Sequence, residues 1–159
     1  MCQRDRTTAD CAASSGLSDE LIESYTCAIY RVDSSPGPIF LAVGATSPAL
    51  DLWLGERAGR RFAFLSAANP GSVQLPADAN RLRHQRLLER LQESGLTAIS
   101  GESYEAASGG WRETSLLICG IERGAAIALA RDFGQAALLY GEIGGQVELV
   151  FTGAAPERS

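Results

Sequence analysis

The sequence predicts a single α/β domain of the α+β type, in which helices flank a mixed β-sheet. Amphipathic helical patterns alternate with short apolar strand patterns in the order α-β-β-α-β-α-β-β-α-β-β. Consecutive strands at both ends of this order are expected to form hairpins, whereas the intervening helices permit parallel neighbours. A length of 159 residues with 45% hydrophobic residues suits one domain with a proper core.

The four helices are recognised by the residues at their ends. Ser18 precedes two acidic residues and is predicted to cap the first helix. Ser47 and Pro48 predict the start of the second helix, since proline is favoured in the first helical turn. The third, a long helix, is predicted to begin near Pro76, and the fourth to stop at Gly134.

The strands are short apolar runs bounded by turn residues. They are predicted at residues 28–32, 39–43, 61–65, 96–100, 116–121, 136–140 and 146–151. The polar segment 102–110 is predicted to be a loop, and 144–145 a hairpin turn. Residues 1–16 and 153–159 are expected to be disordered tails because they lack an apolar pattern, which leaves 17–152 for the domain.

Composition and charge exclude several classes of function. The net charge is −5 and the 14 basic residues, all arginine, form no cluster, so we expect neither nucleic acid nor a membrane as partner. The absence of lysine excludes a Schiff-base or P-loop lysine. His84 is the single histidine, and no two cysteines have C-x-x-C spacing. We therefore expect no metal, no cofactor and no disulfide framework.

The cellular location is predicted from segments that the sequence lacks. No positively charged start leads into an apolar segment, so no signal peptide is recognised. No apolar run reaches the ~18 residues that indicate a membrane span. The expected location is the reducing cytoplasm.

The strand at 61–65 ends in the polar run 66–70, with the sequence SAANP, which is the clearest mark of a site. An amide at the end of a buried strand can bind a ligand through both its donor and its acceptor. Asn69 could instead only shape the turn before Pro70, since Asn-Pro is ordinary turn chemistry. Asn80, early in the next helix, could brace the same loop or be an exposed helix residue.

Trp111, Glu113 and Ser115 are spaced two apart, so on an extended chain they share one face. A tryptophan beside a carboxylate can stack on a planar ligand while the carboxylate accepts its hydrogen bonds. Burial against the indole would also raise the pKa of Glu113 and suit it to general acid–base work. The alternative is an edge strand on which Trp111 packs against the core and Glu113 is solvated.

Gln135 lies where the last helix ends and a strand begins. Its amide could reach into the same site or hydrogen-bond the backbone of a loop. His84 shares a helix face with three leucines and is expected to be a partly buried core residue. Arg83, Arg86 and Arg90 are expected to form a solvated helix face.

These motifs resemble those of a family of short bacterial proteins that is described only as a domain of unknown function. Its (S/T)-A-x-N-P motif is similar to residues 66–70, its W-x-E-x-S motif to 111–115 and its F-G-Q-x-A motif to 133–137. A later asparagine of the family corresponds to Asn80. The resemblance covers about residues 25–151 and implies no activity. The motifs are polar or aromatic and lie at element ends, where packing alone rarely requires such residues.

Three functions are compatible with these residues. The leading hypothesis is a domain that binds a small polar or planar ligand. Its predicted contacts are Asn69, Asn80, Glu113 and Gln135, with Trp111 as a stacking wall. The second is an enzyme in which Glu113 is the general acid or base and Asn69 and Gln135 orient the substrate. The third is a non-enzymatic protein-interaction or regulatory module in which the motifs are structural. The lack of a recognisable nucleophile–base pair favours binding.

Overall fold

The described part of the chain contains four α-helices and seven β-strands in the predicted order. This computed structural model describes residues 18–35, 37–55, 60–105 and 111–153, and the predicted tails lie outside these ranges except for Gly153. The helices are α1 (Asp19–Cys27), α2 (Pro48–Gly55), α3 (Ala77–Glu93) and α4 (Arg123–Asp132). The strands are β1 (Ile29–Val32), β2 (Ile39–Leu41), β3 (Arg61–Ser66), β4 (Thr97–Tyr104), β5 (Arg112–Cys119), β6 (Ala137–Glu142) and β7 (Glu148–Phe151).

The predicted helix caps are present. The hydroxyl oxygen of Ser18 accepts a hydrogen bond from the backbone N–H of Leu21 at 3.2 Å. The hydroxyl oxygen of Ser47 does the same for Leu50 at 3.3 Å. Both bonds satisfy backbone donors that the first turn of a helix leaves unpaired. Gly134 follows α4 with a φ of 70°, which is the left-handed conformation that ends many helices.

The seven strands form one sheet in the order β2-β1-β4-β5-β3-β6-β7. Every neighbouring pair is antiparallel, so the α+β class is confirmed but the mixture of parallel and antiparallel pairs is not found. The crossover through α3 does join two parallel strands, β3 and β4, but β5 lies between them. The crossover through α4 joins β5 and β6 in the same way, with β3 between them. Each parallel pair is therefore split by an antiparallel strand.

The sheet is curled so that segments from its two ends meet. The segment after β2 meets the turn before β7, where Thr46 and Gln146 form an isolated bridge. The backbone N–H of Gly44 donates to the carbonyl of Val147 at 2.7 Å, and that of Val147 donates to Ala45 at 2.8 Å. These bonds satisfy backbone groups beside the two edge strands, which would otherwise be open to pairing with another chain.

A hydrophobic core lies on each face of the sheet. We call them the α2 face, which α2 covers, and the α3/α4 face, which α3 and α4 cover. Side chains alternate along β3, so Phe62 and Phe64 belong to the α2 face while Ala63 and Leu65 belong to the α3/α4 face. The two faces together fix the direction of every side chain on β3 and β5, because a slip by one residue would exchange the two cores.

β4 is longer than predicted. The polar segment that was expected to be a loop from residue 102 is still in the strand at Tyr104, because it pairs on both sides. Gly101 to Tyr104 face β1 on one side and the start of β5 on the other. Residues 112–115 are likewise part of β5 and do not merely lead into it. Pairing between distant strands supplies the backbone hydrogen bonds that this polar sequence alone does not indicate.

The cysteines depart from one expectation. Cys27 is disulfide-bonded, although the cysteine spacing predicted no disulfide framework. Cys119 is a buried thiol. Within the described ranges, no three His, Cys, Asp or Glu side chains are grouped as a metal ion would require. None of the described helices is long and apolar enough to cross a membrane.

Replacing Gly101 with alanine should lower the free energy of unfolding by about 1–3 kcal/mol, because the added methyl group has no room. A Cβ there would overlap the carbonyl oxygen of Arg31 and lie 2.8 Å from Cε2 of Phe64. Gly124→Ala in α4 is the control, since a Cβ at that position meets nothing within 4 Å. Urea unfolding checks the pair. Equal stability of the two variants would contradict the close packing of β4 against β1 and β3.

Candidate functional site

The chain leaves β3 in a sharp turn at Asn69. This residue has φ 50° and ψ 60°, a left-handed conformation that asparagine tolerates better than most residues. A short 3-10 helix, Pro70–Ser72, follows it. The turn packs against the end of α4, since the N–H of Gly71 donates to the carbonyl of Gly134 at 2.8 Å. A Cβ at Gly134 would lie 2.8 Å from Cβ of Pro70, so only glycine permits this close approach.

The side chain of Asn69 ties three segments together. Its Oδ1 accepts hydrogen bonds from the backbone N–H of Leu75 at 2.9 Å and from Nδ2 of Asn80 at 2.8 Å. Its Nδ2 donates to Oε2 of Glu113 at 2.9 Å. The amide orientation is fixed, because a reversed amide would place two donors against each other. Asn69 therefore joins the end of β3 to the following loop, to α3 and to β5.

Asn80 braces the same loop from α3. Its Oδ1 accepts the backbone N–H of Asn69 at 2.9 Å, while its Nδ2 donates to Oδ1 of Asn69. The pair is thus reciprocal, and each asparagine uses both its donor and its acceptor. Of the two interpretations of Asn80, the structure supports the brace.

Two further side chains hold the loop, Arg83 from α3 and Gln135 from the segment after α4. Nε of Arg83 donates to the carbonyl of Ala67 at 2.6 Å, and its Nη2 donates to the carbonyl of Phe133. Nε2 of Gln135 donates to the carbonyl of Ala68 at 2.9 Å and to that of Phe133 at 3.2 Å. The expectation that Arg83 is solvated is therefore wrong, because its guanidinium replaces water at the ends of β3 and α4. Gln135 does bond loop backbone, which was one of its two interpretations.

A cavity of about 190 Å³ opens beside this loop. Four of the five predicted site residues line it, namely Asn69, Trp111, Glu113 and Gln135. Asn80 does not line the cavity, and its effect on the site is to hold Asn69 in place through their two hydrogen bonds. The remaining lining residues are Leu21, Ser24, Tyr25, Gly71, Gln74, Gly134 and Ala136. The contribution of α1 was missed, because the sequence marks this segment only as a capped helix.

A second cavity of about 40 Å³ adjoins the first and shares Tyr25, Trp111, Glu113 and Gln135 with it. It extends among the hydroxyl groups of Tyr30, Ser66, Ser103 and Ser115 on the α2 face. The Oγ atoms of Ser103 and Ser115 lie 2.9 Å apart, and Oγ of Ser66 donates to the carbonyl of Thr114 at 2.7 Å. These polar groups form a recess in an otherwise apolar core.

Glu113 is the carboxylate of this site. Burial raises its pKa above the ordinary value of 4.5, and the hydrogen bond from Asn69 opposes that rise without cancelling it. The pKa of the buried Tyr30 phenol is also raised, first by burial and then by the charges of Tyr25 and Glu113. Tyr30 therefore keeps its proton, and its hydroxyl donates a hydrogen bond to the carbonyl of Tyr25. A carboxyl group held in this way can accept or release a proton nearer to neutral pH than a solvated one.

His84 is half-buried on α3, as its face with three leucines predicts. Burial lowers the pKa of its imidazole, so the neutral form is favoured near neutral pH. Its Nδ1 is buried without a hydrogen bond from the described residues. His84 lines neither cavity and takes no part in the candidate site.

Comparison with known proteins places these residues within a recognised segment. Residues 65–138 match the DUF3293 family model, described as "Protein of unknown function". This match confirms the resemblance to a family of unknown function. No curated protein and no solved structure matches the chain. The DUF3293 segment runs from the end of β3 into β6, so it contains all five predicted site residues as well as Arg83.

Replacing Asn69 with alanine should lower the free energy of unfolding by about 2–4 kcal/mol, since several hydrogen bonds and a favoured left-handed residue are lost. In a double-mutant cycle with Asn80→Ala, the two losses should be coupled by about 1 kcal/mol or more, because each residue bonds the other. Asn80→Ala combined with Gln85→Ala, an exposed change on α3, is the control and should be additive. Additivity of the asparagine pair in urea unfolding would contradict the reciprocal bond.

Replacing Glu113 with glutamine should change the pH dependence of stability. Because the folded state raises the pKa of Glu113, it retains a proton that the unfolded chain releases above about pH 4.5. The wild type should therefore lose stability as pH rises through the folded pKa, and Glu113→Gln should not show this loss. Glu93→Gln, at an exposed carboxylate, is the control. If the stability difference between wild type and Glu113→Gln does not vary with pH, the carboxyl group is not buried.

Proposed function

We propose that this domain binds a small polar or planar ligand in the 190 Å³ cavity. The observation that carries the proposal is the convergence of Gln135, which follows α4, with Trp111 and Glu113 at the start of β5 on one cavity beside Asn69. Sites for small molecules combine apolar or aromatic walls with a few convergent polar groups. The cavity is smaller than the ~300 Å³ of typical drug-sized pockets, so the ligand is the size of a small metabolite.

The construction of the loop also supports binding. Asn69, Arg83 and Gln135 hold the segment after β3 by side-chain hydrogen bonds within the protein. A loop that is already ordered loses little conformational entropy when a ligand arrives. These hydrogen bonds therefore favour affinity by ordering the loop in advance, even where the side chains that form them do not contact the ligand.

A thermal-shift screen of metabolites and nucleotides tests this proposal. The variants are Glu113→Gln and Trp111→Leu, with Glu93→Gln as an exposed control. Asn69→Ala is unsuitable, because it removes the support of the loop together with any ligand contact. A ligand at 100 times its dissociation constant should stabilise the wild type by about 2.7 kcal/mol. We expect the effect to persist in the control and to be reduced in both site variants. Stabilisation that survives in both site variants would place the binding site elsewhere.

A second candidate function is catalysis with Glu113 as general acid or base. The observation that favours it is the burial that raises the pKa of this carboxyl group towards neutral pH. Its test uses compounds that bind in the screen, incubated with protein and followed by mass spectrometry. Catalysis predicts conversion by the wild type and loss of conversion, with retained binding, in Glu113→Gln. Conversion that continues unchanged in Glu113→Gln would exclude this role for the residue.

The cytoplasm is the compartment that the sequence argument supports. The disulfide of Cys27 is the observation against it, because disulfides persist mainly in oxidising compartments. Alkylation of thiols in intact cells before purification distinguishes a reducing compartment from an oxidising one. Alkylated Cys27 would support the cytoplasm, and Cys27 protected until reduction would contradict it.

A further inference from the structure

The charge of the cavity lining has one sign. Glu113 contributes a carboxylate, and none of the described residues that line either cavity is arginine, lysine or histidine. The guanidinium of Arg83 lies behind the loop, where backbone carbonyls of Ala67 and Phe133 accept its hydrogen bonds. Partial burial strengthens the field of the Glu113 carboxylate, since less water screens it. Nη2 of Arg83 would lie 3.9 Å from a Cβ at the lining residue Gly134, but the hydrogen bonds of this guanidinium are directed to backbone carbonyls. Among the described lining residues themselves, an anionic ligand would meet the carboxylate of Glu113 and no cationic side chain.

The polar groups of the site mostly present acceptors to the cavity. Both N–H groups of the Gln135 amide are used on the carbonyls of Ala68 and Phe133, which leaves Oε1 to face a ligand. Glu113 uses Oε2 to accept from Asn69, and its Oε1 takes no hydrogen bond from the described residues. A ligand that satisfies these two oxygens must donate hydrogen bonds.

Aromatic rings complete the lining. Trp111 and Tyr25 line both cavities. The faces of indole and phenol rings attract cations through the ring quadrupole, most strongly where the cation is partly desolvated. A flat cationic group gains from this attraction and from the acceptor oxygens together.

From these three observations we infer that the cavity selects a cationic ligand that donates hydrogen bonds, of the protonated amine, amidinium or guanidinium class, and rejects anions. This inference rests on the proposed ligand-binding function and names its ligand class. Glu113 pairs with the cation, Gln135 accepts a second hydrogen bond, and Trp111 provides the aromatic wall. A neutral planar ligand would use the wall but would bring no opposite charge to Glu113.

Three probes of equal shape but different charge test the inference: benzamidinium, benzamide and benzoate. Binding is followed by ¹⁵N–¹H correlation spectra, in which the two tryptophans give two indole signals. Trp111 lines the cavity. Trp53 lies on α2 and packs into the core of the α2 face, so its signal serves as an internal control for the fold. We expect benzamidinium to shift the Trp111 signal and to bind at least about 10-fold more tightly than benzamide, with benzoate weakest.

The variants locate the source of this preference. In Glu113→Gln the preference for benzamidinium over benzamide should fall to less than about 3-fold, because the charge that selects the cation is gone. Glu93→Gln should keep the full preference. A preference that remains full in Glu113→Gln would overturn the role of this carboxylate.

The probes also separate the two proposals. If benzamide or benzoate shifts the Trp111 signal as strongly as benzamidinium does, the cavity binds ligands but the inference about charge is wrong. If none of the three shifts it at millimolar concentration, the inference about charge fails, whereas the ligand-binding proposal is decided by the thermal-shift screen.

A pH series on the wild type needs no variant and covers the case in which Glu113→Gln fails to fold. Benzamidinium should bind more tightly as pH rises through the ionisation of Glu113, while benzamide should not. The other titratable side chains among the described lining residues are the phenols of Tyr25 and Tyr30, and phenols ordinarily stay neutral below about pH 10. If the affinity for benzamidinium stays constant as pH rises from the acidic range to neutral pH, the pairing with Glu113 is overturned.

Discussion

The hydrogen bonds of the Asn69 carboxamide fix the loop that leaves β3, and the candidate site depends on that loop. One amide in a left-handed turn bonds a loop N–H, the reciprocal amide of Asn80 and the carboxylate of Glu113. Loops are ordinarily the more mobile parts of a domain, whereas here a few directed hydrogen bonds set the path of the chain. Asn69 is therefore first a structural residue, and its influence on any ligand passes through Glu113 and through the position of the loop.

The same bonds determine what the cavity can recognise. Because Gln135 uses both its donors on loop carbonyls and Glu113 accepts from Asn69 through Oε2, acceptor oxygens remain for a ligand. The antiparallel sheet contributes by pairing β5 with β4 along its whole length, so Glu113 and the preceding Trp111 are held at the start of an ordered strand. Support of the fold and selectivity of the site thus come from one set of side chains.

How much the sequence predicts depends on the range of the interactions involved. Helix caps, turns and the order of elements follow from local patterns, and Asn69, Glu113 and Gln135 were recognised because polar residues at element ends are rarely there for packing alone. The insertion of β5 between β3 and β4 depends on pairing between distant strands, which no local pattern contains. Arg83 was expected in solvent because its helical spacing matches an exposed face. Its carbonyl partners lie in segments 16 and 50 residues away.

Native-state hydrogen exchange of the Leu75 backbone amide tests the central claim most directly. This N–H belongs to no helix or strand, and Oδ1 of Asn69 accepts it. The account predicts that Leu75 exchanges at least about 10-fold more slowly than Gln74, whose N–H has no hydrogen bond among the described residues, and that Asn69→Ala removes the difference. Exchange of Leu75 as fast as that of Gln74 in the wild type would show that Asn69 does not hold the loop.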